Sequence, residues 1–514
     1  MQQKLVIGES CLSGSDKEAI LSDYFMTLNQ QKASFLGYQT NQQVEFPSRL
    51  WPFLSLNLLN LGDGFEEGSY RINAKQFERA VLDYYAQLCG FAGSHTQRRY
   101  WGYLTAMGST EGNLYALWNA RDFLRGYPVE GYADAVPTDY PPVLICSAAT
   151  HYSIHKASQM VGVSLFHDIG PGLGACPINQ GDWQQPLAVD ENDAVIIEDL
   201  YALVEFFTTA QHPIILVLNH GATFSGGSDA IYTILTRLKP LLGPNTPQQR
   251  RYWIHVDGAL AANFSPYLHV GSAPFSITNE PNEFRHPEVM SLCTSPYKWL
   301  GMPWACGIYL MQERYKVGSS ARPVYIGSRD STVSGSRQGI FSLYLWDLLV
   351  TLGKAGLQRL ADANEHLAND TQHRIVRLFQ QLDPGGKQLH VMPRPRHSNI
   401  VRFTAPNPAV IEQFSLAQND VLIGERLQRM CHVVILSHVT QAAIERLLDA
   451  LAHPNAFSLP SRLQTSRPQN PLTDLRSMRH RYGFCPDDEV FDNGVASKSG
   501  GRDETPVLQA ERFL

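Results

Sequence analysis

An α/β fold, with a mostly parallel sheet flanked by helices and a smaller α+β domain after it, is what this sequence predicts, and three observations lead there. From about residue 100 to 312, short apolar runs alternate with amphipathic helical stretches. The runs are rich in β-branched and aromatic residues and are bounded by Gly and Pro, as buried strands are. After Pro323 the pattern changes to one long helical stretch followed by scattered strand-like pieces. In sheets of the first kind, ligands bind at the carboxyl ends of the strands.

In chain order, residues 1–99 read as an arm and helices suited to dimerisation. A helix is expected around Asp16 to Leu36, then an extended stretch broken by Pro47 and Pro52. From Ala74 to Leu88, Phe77, Ala80, Val81, Tyr84, Tyr85 and Leu88 recur at three- and four-residue spacing, so one helix face is buried. Residues 100–322 form the large domain. Its expected strands are Val143 to Cys146, Ile214 to Asn219, Tyr252 to Asp257, Val289 to Thr294 and Gly307 to Met311. Helices are expected near Glu111 to Leu124, Ile154 to Val161, Asp199 to Thr208 and Asp229 to Leu242. Residues 323–457 form the small domain. It opens on a Gly/Ser/Arg-rich stretch, Ile326 to Gly339, and continues with a helical region from Phe341 to about Leu382. Strands at Asn399 to Phe403 and Val433 to Ser437 and a helix at Gln441 to His453 complete it. Residues 458–514 are poor in apolar side chains and read as a largely irregular tail.

With 514 residues, 44% hydrophobic and 18% charged, the chain can bury a large core. A net charge of −6 and the lack of a long basic run argue against nucleic acid or an anionic membrane as partner. The longest apolar stretches, such as Ile214 to Leu218, fall far short of the roughly 20 residues that span a bilayer. The start lacks a sustained apolar region, so a cytoplasmic location is expected. The 8 cysteines are scattered without a C-x-x-C pair, and His151 with His155 lacks the Glu of a zinc helix, so no metal is expected.

Four stretches carry chemistry. Ser295-Pro296-Tyr297-Lys298-Trp299 sets a lysine in a small-residue turn between two apolar runs. Desolvation there disfavours the ammonium form and makes the amine nucleophilic; the bland alternative is a surface lysine in a β-turn. Gly108-Ser109-Thr110-Glu111-Gly112-Asn113 opens a helix, where free N–H groups and the dipole suit an anion such as phosphate, or where Ser109 or Thr110 simply caps the helix. His151 follows a strand end, as a functional imidazole or a structural one. His255-Val256-Asp257-Gly258-Ala259 ends a strand on a carboxylate followed by small residues that let a flat ring lie close. That carboxylate either caps the next helix or keeps a pyridinium nitrogen protonated.

Taken together in chain order, these stretches resemble the pyridoxal-phosphate-dependent group II amino-acid decarboxylases, over roughly residues 35 to 450. The nearest likeness is to the histidine- and serine-decarboxylase branch and its bacterial relatives acting on valine, leucine or methionine. Ser55 to Gly62 with Asp63, Trp101-Gly102-Tyr103, His151-Tyr152-Ser153, Lys298-Trp299, and Gly335-Ser336-Arg337 with Gly339 carry the rest of it. The resemblance implies the aspartate-aminotransferase-like fold (fold type I), pyridoxal 5'-phosphate as cofactor, and a homodimer with active sites at the interface. By the same likeness Lys298 links covalently to the cofactor, Asp257 pairs with the pyridine nitrogen, and His151 stacks on the ring with Ala259 close by. Ser109, Thr110, Ser295 and Tyr297 hold the phosphate, and Thr223 lies near the phenolic oxygen. The chain departs from the family at Tyr297, where His is usual before the lysine, and at Ala222, where Thr is common.

The resemblance implies decarboxylation of an L-amino acid, with Tyr325 as candidate proton donor to Cα. Aldehyde formation, transamination and a silent binding paralogue are the competing readings. Ser336, Arg337, Ile340 and Phe341 are the candidate substrate residues. Where the histidine-decarboxylase branch commonly has His, this chain has Ile340, and a pocket lined by Ile340 and Phe341 gains about 0.8 kcal/mol per buried CH₂. An apolar substrate such as leucine, methionine or valine is therefore expected over histidine, serine or glutamate. The alternatives are a histidine, serine or aromatic amino-acid decarboxylase, and an Ile340 that faces the core and says nothing about substrate.

Overall fold

The computed structural model describes residues 5, 7, 11–91, 99–129, 139–268, 288–318, 322–423 and 426–457. In chain order the main elements are α1 (Gly14–Lys32), β1 (Leu59–Leu61), α2 (Lys75–Leu88), β2 (Tyr100–Thr105), α3 (Ser109–Leu124), β3 (Val143–Ile145), α4 (Tyr152–Val161) and β4 (Ser164–Leu165). Next come α5 (Ile197–Thr209), β5 (Ile214–Asn219), α6 (Ile231–Leu242), β6 (Tyr252–Asp257), β7 (Ser291–Thr294), α7 (Pro296–Leu300) and β8 (Gly307–Gln312). The remainder is β9 (Ser336–Gln338), α8 (Gly339–Leu382), β10 (Ile400–Thr404), β11 (Ala417–Ile423), β12 (Arg426–Val434) and α9 (Gln441–Ala452). The tail expected at 458–514 lies outside the described residues.

A seven-stranded sheet in the order β2-β8-β7-β6-β5-β3-β4 organises the molecule. β4, β3, β5, β6 and β7 are parallel neighbours, whereas β8 runs antiparallel to both β7 and β2. Six strands therefore point one way and only β8 is reversed, so α3 starts at the same edge as the segments leaving β3, β5, β6 and β7. Every residue of β2, β5, β6 and β8 is buried, which is why these strands read as unbroken apolar runs. The aromatic segment from Tyr100 proves to be the edge strand β2.

A second, three-stranded antiparallel sheet, β10-β12-β11, has its own core of Val401, Phe403, Phe414, Cys431, Val433, Ile444 and Leu447. Leu36 of the N-terminal arm belongs to this core too. The long helix α8 serves both cores. Leu343, Leu345, Leu349 and Leu357 join the large one, and Ala368, Ile375 and Phe379 the small one. Gly353 breaks its regularity with φ 57° and ψ 175°. The boundary between cores thus falls inside the helix rather than at Pro323. By length and composition α8 is the one described helix that could cross a membrane, and half of its apolar window is buried in the protein.

Candidate active site

The register of the parallel strands sets the site. Asn219 at the end of β5 pairs with Asp257 at the end of β6, and Asp257 with Cys293 of β7. The chain past each end then supplies the other groups. His151 caps α4, its Nδ1 accepting the Ser153 N–H at 3.3 Å. Lys298 sits not in a turn but in the one-turn helix α7, which Pro296 starts and Gly301 ends at φ 78°. These groups meet around a cavity of about 180 Å³ that is also lined by Ser109, Thr110, Thr223, Ala259, Ser295 and Tyr297.

One end of the cavity is built from hydroxyls and a helix start. Gly108, at φ 63°, precedes α3, which has no side-chain cap. The Ser109 N–H donates to Ser295 Oγ at 2.9 Å, and the Ser109 and Ser295 hydroxyls lie 2.8 Å apart. A Cβ at Gly108 would stand 3.0 Å from the Tyr297 ring and 3.3 Å from Ser295 Oγ, so only glycine leaves this end open. The uncapped start of a 16-residue helix among hydroxyls suits a phosphate.

The other end carries the charges. Asp257 is buried and accepts the Ala259 N–H at 3.1 Å and the Asn113 side-chain N–H at 2.8 Å. Burial lowers the Lys298 pKa, and Asp257 and Cys293 only partly offset it. Burial likewise lowers the His151 pKa, against the pull of Asp257. An amine with a weakened hold on its proton, a buried carboxylate and a neutral imidazole thus share one enclosure.

Five candidates named from the sequence stand elsewhere in this chain. Tyr325 is 79% exposed and does not line the cavity. Ser336 is exposed on β9. Arg337 is 2% exposed and its guanidinium is engaged elsewhere: Nη2 donates to both Glu78 carboxylate oxygens at 3.1 and 2.9 Å, and Nη1 to the Gly62 carbonyl at 2.8 Å. Ile340 and Phe341 are core residues in the first turn of α8, Phe341 stacking on Trp304 at 5.4 Å. The motifs around them instead form a brace. β1 pairs with β9, Trp101 Nε1 donates to Asp63 at 2.9 Å, and Arg337 lies over the Tyr103 ring.

Four groups near the chemistry had no assigned role from the sequence. Asn113, Asn219 and Tyr152 line the cavity. Asn113 stands four residues after Ser109, on the same helix face, and that spacing could have flagged it. Gln39 comes from the arm. Its Nε2 donates to the Thr223 carbonyl at 2.8 Å, and Lys298 Nζ donates to its Oε1 at 3.2 Å. Nothing local in the arm sequence marks it.

A family profile described as "Pyridoxal-dependent decarboxylase conserved domain" matches residues 73–380. The chain belongs to the pyridoxal-dependent decarboxylases. Histidine decarboxylase of Solanum lycopersicum is 31% identical over 347 residues, 68% of this chain and 71% of that protein. Serine decarboxylase 2 of Oryza sativa subsp. japonica is 28% identical over 435 residues, 84% of this chain and 77% of that one. The crystal structure of L-methionine decarboxylase from Streptomyces sp.590 superposes with a TM-score of 0.78 at 31% identity, covering 88% of this chain and 97% of that one. The fold is therefore that of the fold type I pyridoxal-phosphate enzymes, and this decarboxylase is a carboxy-lyase acting on an amino acid with that cofactor. The residues present fit the group: an amine with a lowered pKa for its aldehyde, a buried carboxylate for its pyridine nitrogen, and a helix start with hydroxyls for its phosphate. Bound pyridoxal phosphate supplies an aldehyde that condenses with amines and a ring that takes up the electrons left when a carboxylate departs.

Proposed function

We propose that this decarboxylase converts an L-amino acid with an apolar side chain, such as methionine, leucine or valine, to its amine and CO₂. The observation that carries the substrate class is the cavity's charge inventory. Lys298, Asp257 and His151 are the charged or titratable lining groups besides the Tyr152 and Tyr297 phenols, and all three are taken up by the cofactor. No described charged lining group is left over to neutralise a carboxylate or imidazolium on the substrate side chain, whereas an apolar side chain needs none. The likeness to L-methionine decarboxylase points the same way.

In this reading Lys298 holds the cofactor and yields it to the substrate amine, and its desolvated, weakly basic amine suits that exchange. Asp257 keeps the ring nitrogen protonated. His151, fixed by Ser153, covers one ring face, and Ser109, Thr110, Ser295 and Tyr297 hold the phosphate while Thr223 and Ala259 flank the ring. The Tyr297 phenol, a donor that stays neutral, replaces the family's imidazole in that cup. Tyr325 is exposed and does not line its own chain's cavity, so its role as proton donor at Cα calls for the cavity of a neighbouring subunit. That requirement agrees with a cytoplasmic homodimer. α1 buries none of its residues and exposes Leu21, Tyr24, Phe25, Met26 and Leu28, with Trp51 and Leu54 exposed further on. The seven described cysteines are free thiols, as a reducing compartment keeps them.

The test is kcat/KM for methionine, leucine, valine, histidine and serine with amine and CO₂ both quantified. Higher values for the apolar set are expected. A preference for histidine or serine would overturn the substrate class, and aldehyde with peroxide in place of amine would overturn the product.

A further inference from the structure

We propose that Asn113 is the positioning residue that ties Asp257 and His151, the two groups facing the cofactor ring, into one hydrogen-bonded frame. The inference rests on the roles given to Asp257 and His151 above.

The sheet lays out the parts. Trp253, His255 and Asp257 alternate onto one face of β6, and Ser291 and Cys293 onto the same face of β7, with His255 paired to Ser291 and Asp257 to Cys293. α3 crosses this face and brings Asn113 down onto it. Asn113, His255 and Ser291 are at most 1% exposed, so water cannot replace any bond among them.

The direction of every hydrogen bond follows from the two ends. An indole N–H only donates, and a carboxylate only accepts. Trp253 Nε1 donates to Ser291 Oγ at 2.9 Å, which leaves the Ser291 proton for His255 Nδ1 at 2.8 Å. The His255 proton is then on Nε2 and goes to Asn113 Oδ1 at 2.9 Å, where the Cys293 thiol also donates at 3.0 Å. Asn113 Nδ2 donates to Asp257 Oδ2 at 2.8 Å. Each dipole in the chain points its positive end at the carboxylate, and successive bonds polarise one another in the same sense. Burial holds the His255 pKa down to about 4, so the imidazole stays neutral and the chain keeps its direction.

The second proton on Asn113 Nδ2 goes to Ser153 Oγ at 2.9 Å. Ser153 in turn gives its proton to His151 Nδ1 at 2.8 Å, which already accepts the Ser153 N–H. His151 therefore carries its proton on Nε2. One amide sets both the carboxylate that meets the ring nitrogen and the imidazole over the ring. A donor to Asp257 stabilises its ionised form, and so keeps the shared proton on the ring nitrogen rather than on the carboxyl group.

The test reads that proton directly, by NMR of holoenzyme loaded with pyridoxal phosphate labelled with ¹⁵N in the ring. Asp257→Asn is expected to move the ring signal fully to the unprotonated position. Asn113→Ala should move it part of the way in the same direction and lower kcat about 10- to 100-fold at nearly constant KM, the effect of one charge-assisted hydrogen bond. Ser153→Ala should leave the ring signal in place. Ser291→Ala, remote from the cavity, should reproduce a smaller part of the Asn113→Ala shift, and it carries the test if Asn113→Ala does not fold. A ring signal unmoved in Asn113→Ala or, failing that variant, in Ser291→Ala, while Asp257→Asn moves it, overturns the inference. A signal unmoved by Asp257→Asn overturns the role of Asp257 itself.

Discussion

Lys298 and Asp257 show how much of the chemistry one side chain can hold. In the proposed reading Lys298 carries the cofactor; replacing it by Ala removes that amine, so the visible absorption of purified enzyme should disappear and CO₂ release should fall to background, as spectrophotometry and a CO₂ assay would read. Replacing Asp257 by Asn leaves the shape of the cavity but not the charge proposed to hold the ring proton. Cofactor should stay bound while kcat falls about 100-fold, the equivalent of about 3 kcal/mol, measured at saturating substrate. The sequence singled these two out because each stands at or just past the end of a buried apolar strand, where such sheets place ligands, and the fold brings both to one cavity. Ser336, Arg337, Ile340 and Phe341 stand away from this chain's cavity for the opposite reason. Their motifs mark how the arm, β2 and β9 are braced together, and a pattern of residues does not say whether it encodes a brace or a pocket wall.

The brace is a property of elements, and its weak point is calculable. The Arg337–Glu78 pair is almost fully buried, and Glu78 also accepts from Asn60 Nδ2 and the Leu104 N–H. Arg337→Met would leave that carboxylate without its cation. Destabilisation of about 3–5 kcal/mol is expected in guanidinium unfolding, against less than about 0.5 kcal/mol for Ser336→Ala on the exposed side of β9. Deleting residues 1–33 removes α1, whose side chains have no buried face in the single chain, and sedimentation should then show loss of dimer. Elements were read well where burial is complete. β5 and β6 match the sequence expectation residue for residue because both of their faces are covered. β11 escaped notice, since Ala417 to Ile423 lies at the edge of its sheet and mixes polar with apolar side chains. β1 and β9, at three residues each, are too short to show a period. α7 was expected as a turn because one helical turn begun by Pro and ended by Gly has the composition of a loop.

For the whole molecule, two enclosed histidines make stability depend on pH. His220 and His255 are both held neutral by burial, with pKa values down to about 4, whereas an unfolded chain takes up their protons from about pH 6.5. Between those values each folded histidine binds fewer protons than the unfolded chain, so their contribution falls as pH drops from 6.5 to 4. Each histidine contributes on the order of 3 kcal/mol to that loss. Buried Asp229 offsets part of it, because burial raises its carboxyl to about 6 and the folded state takes up that proton first. Tm measured across this range should decline, His220→Asn should flatten part of the decline, and Asp229→Asn should steepen it. The arm has a consequence for how the enzyme comes into being. The Leu36 carbonyl accepts the Val434 N–H at 2.8 Å, the Gly37 carbonyl accepts from His432 at 2.9 Å, and the Phe35 carbonyl accepts from His438 at 2.8 Å. The arm thus waits for partners made roughly 400 residues later, whereas domains otherwise settle in the order they are synthesised. Until β12 has emerged these three bonds cannot form, so the arm that lays Gln39 over the lysine is locked down only after every strand of the large sheet has been made.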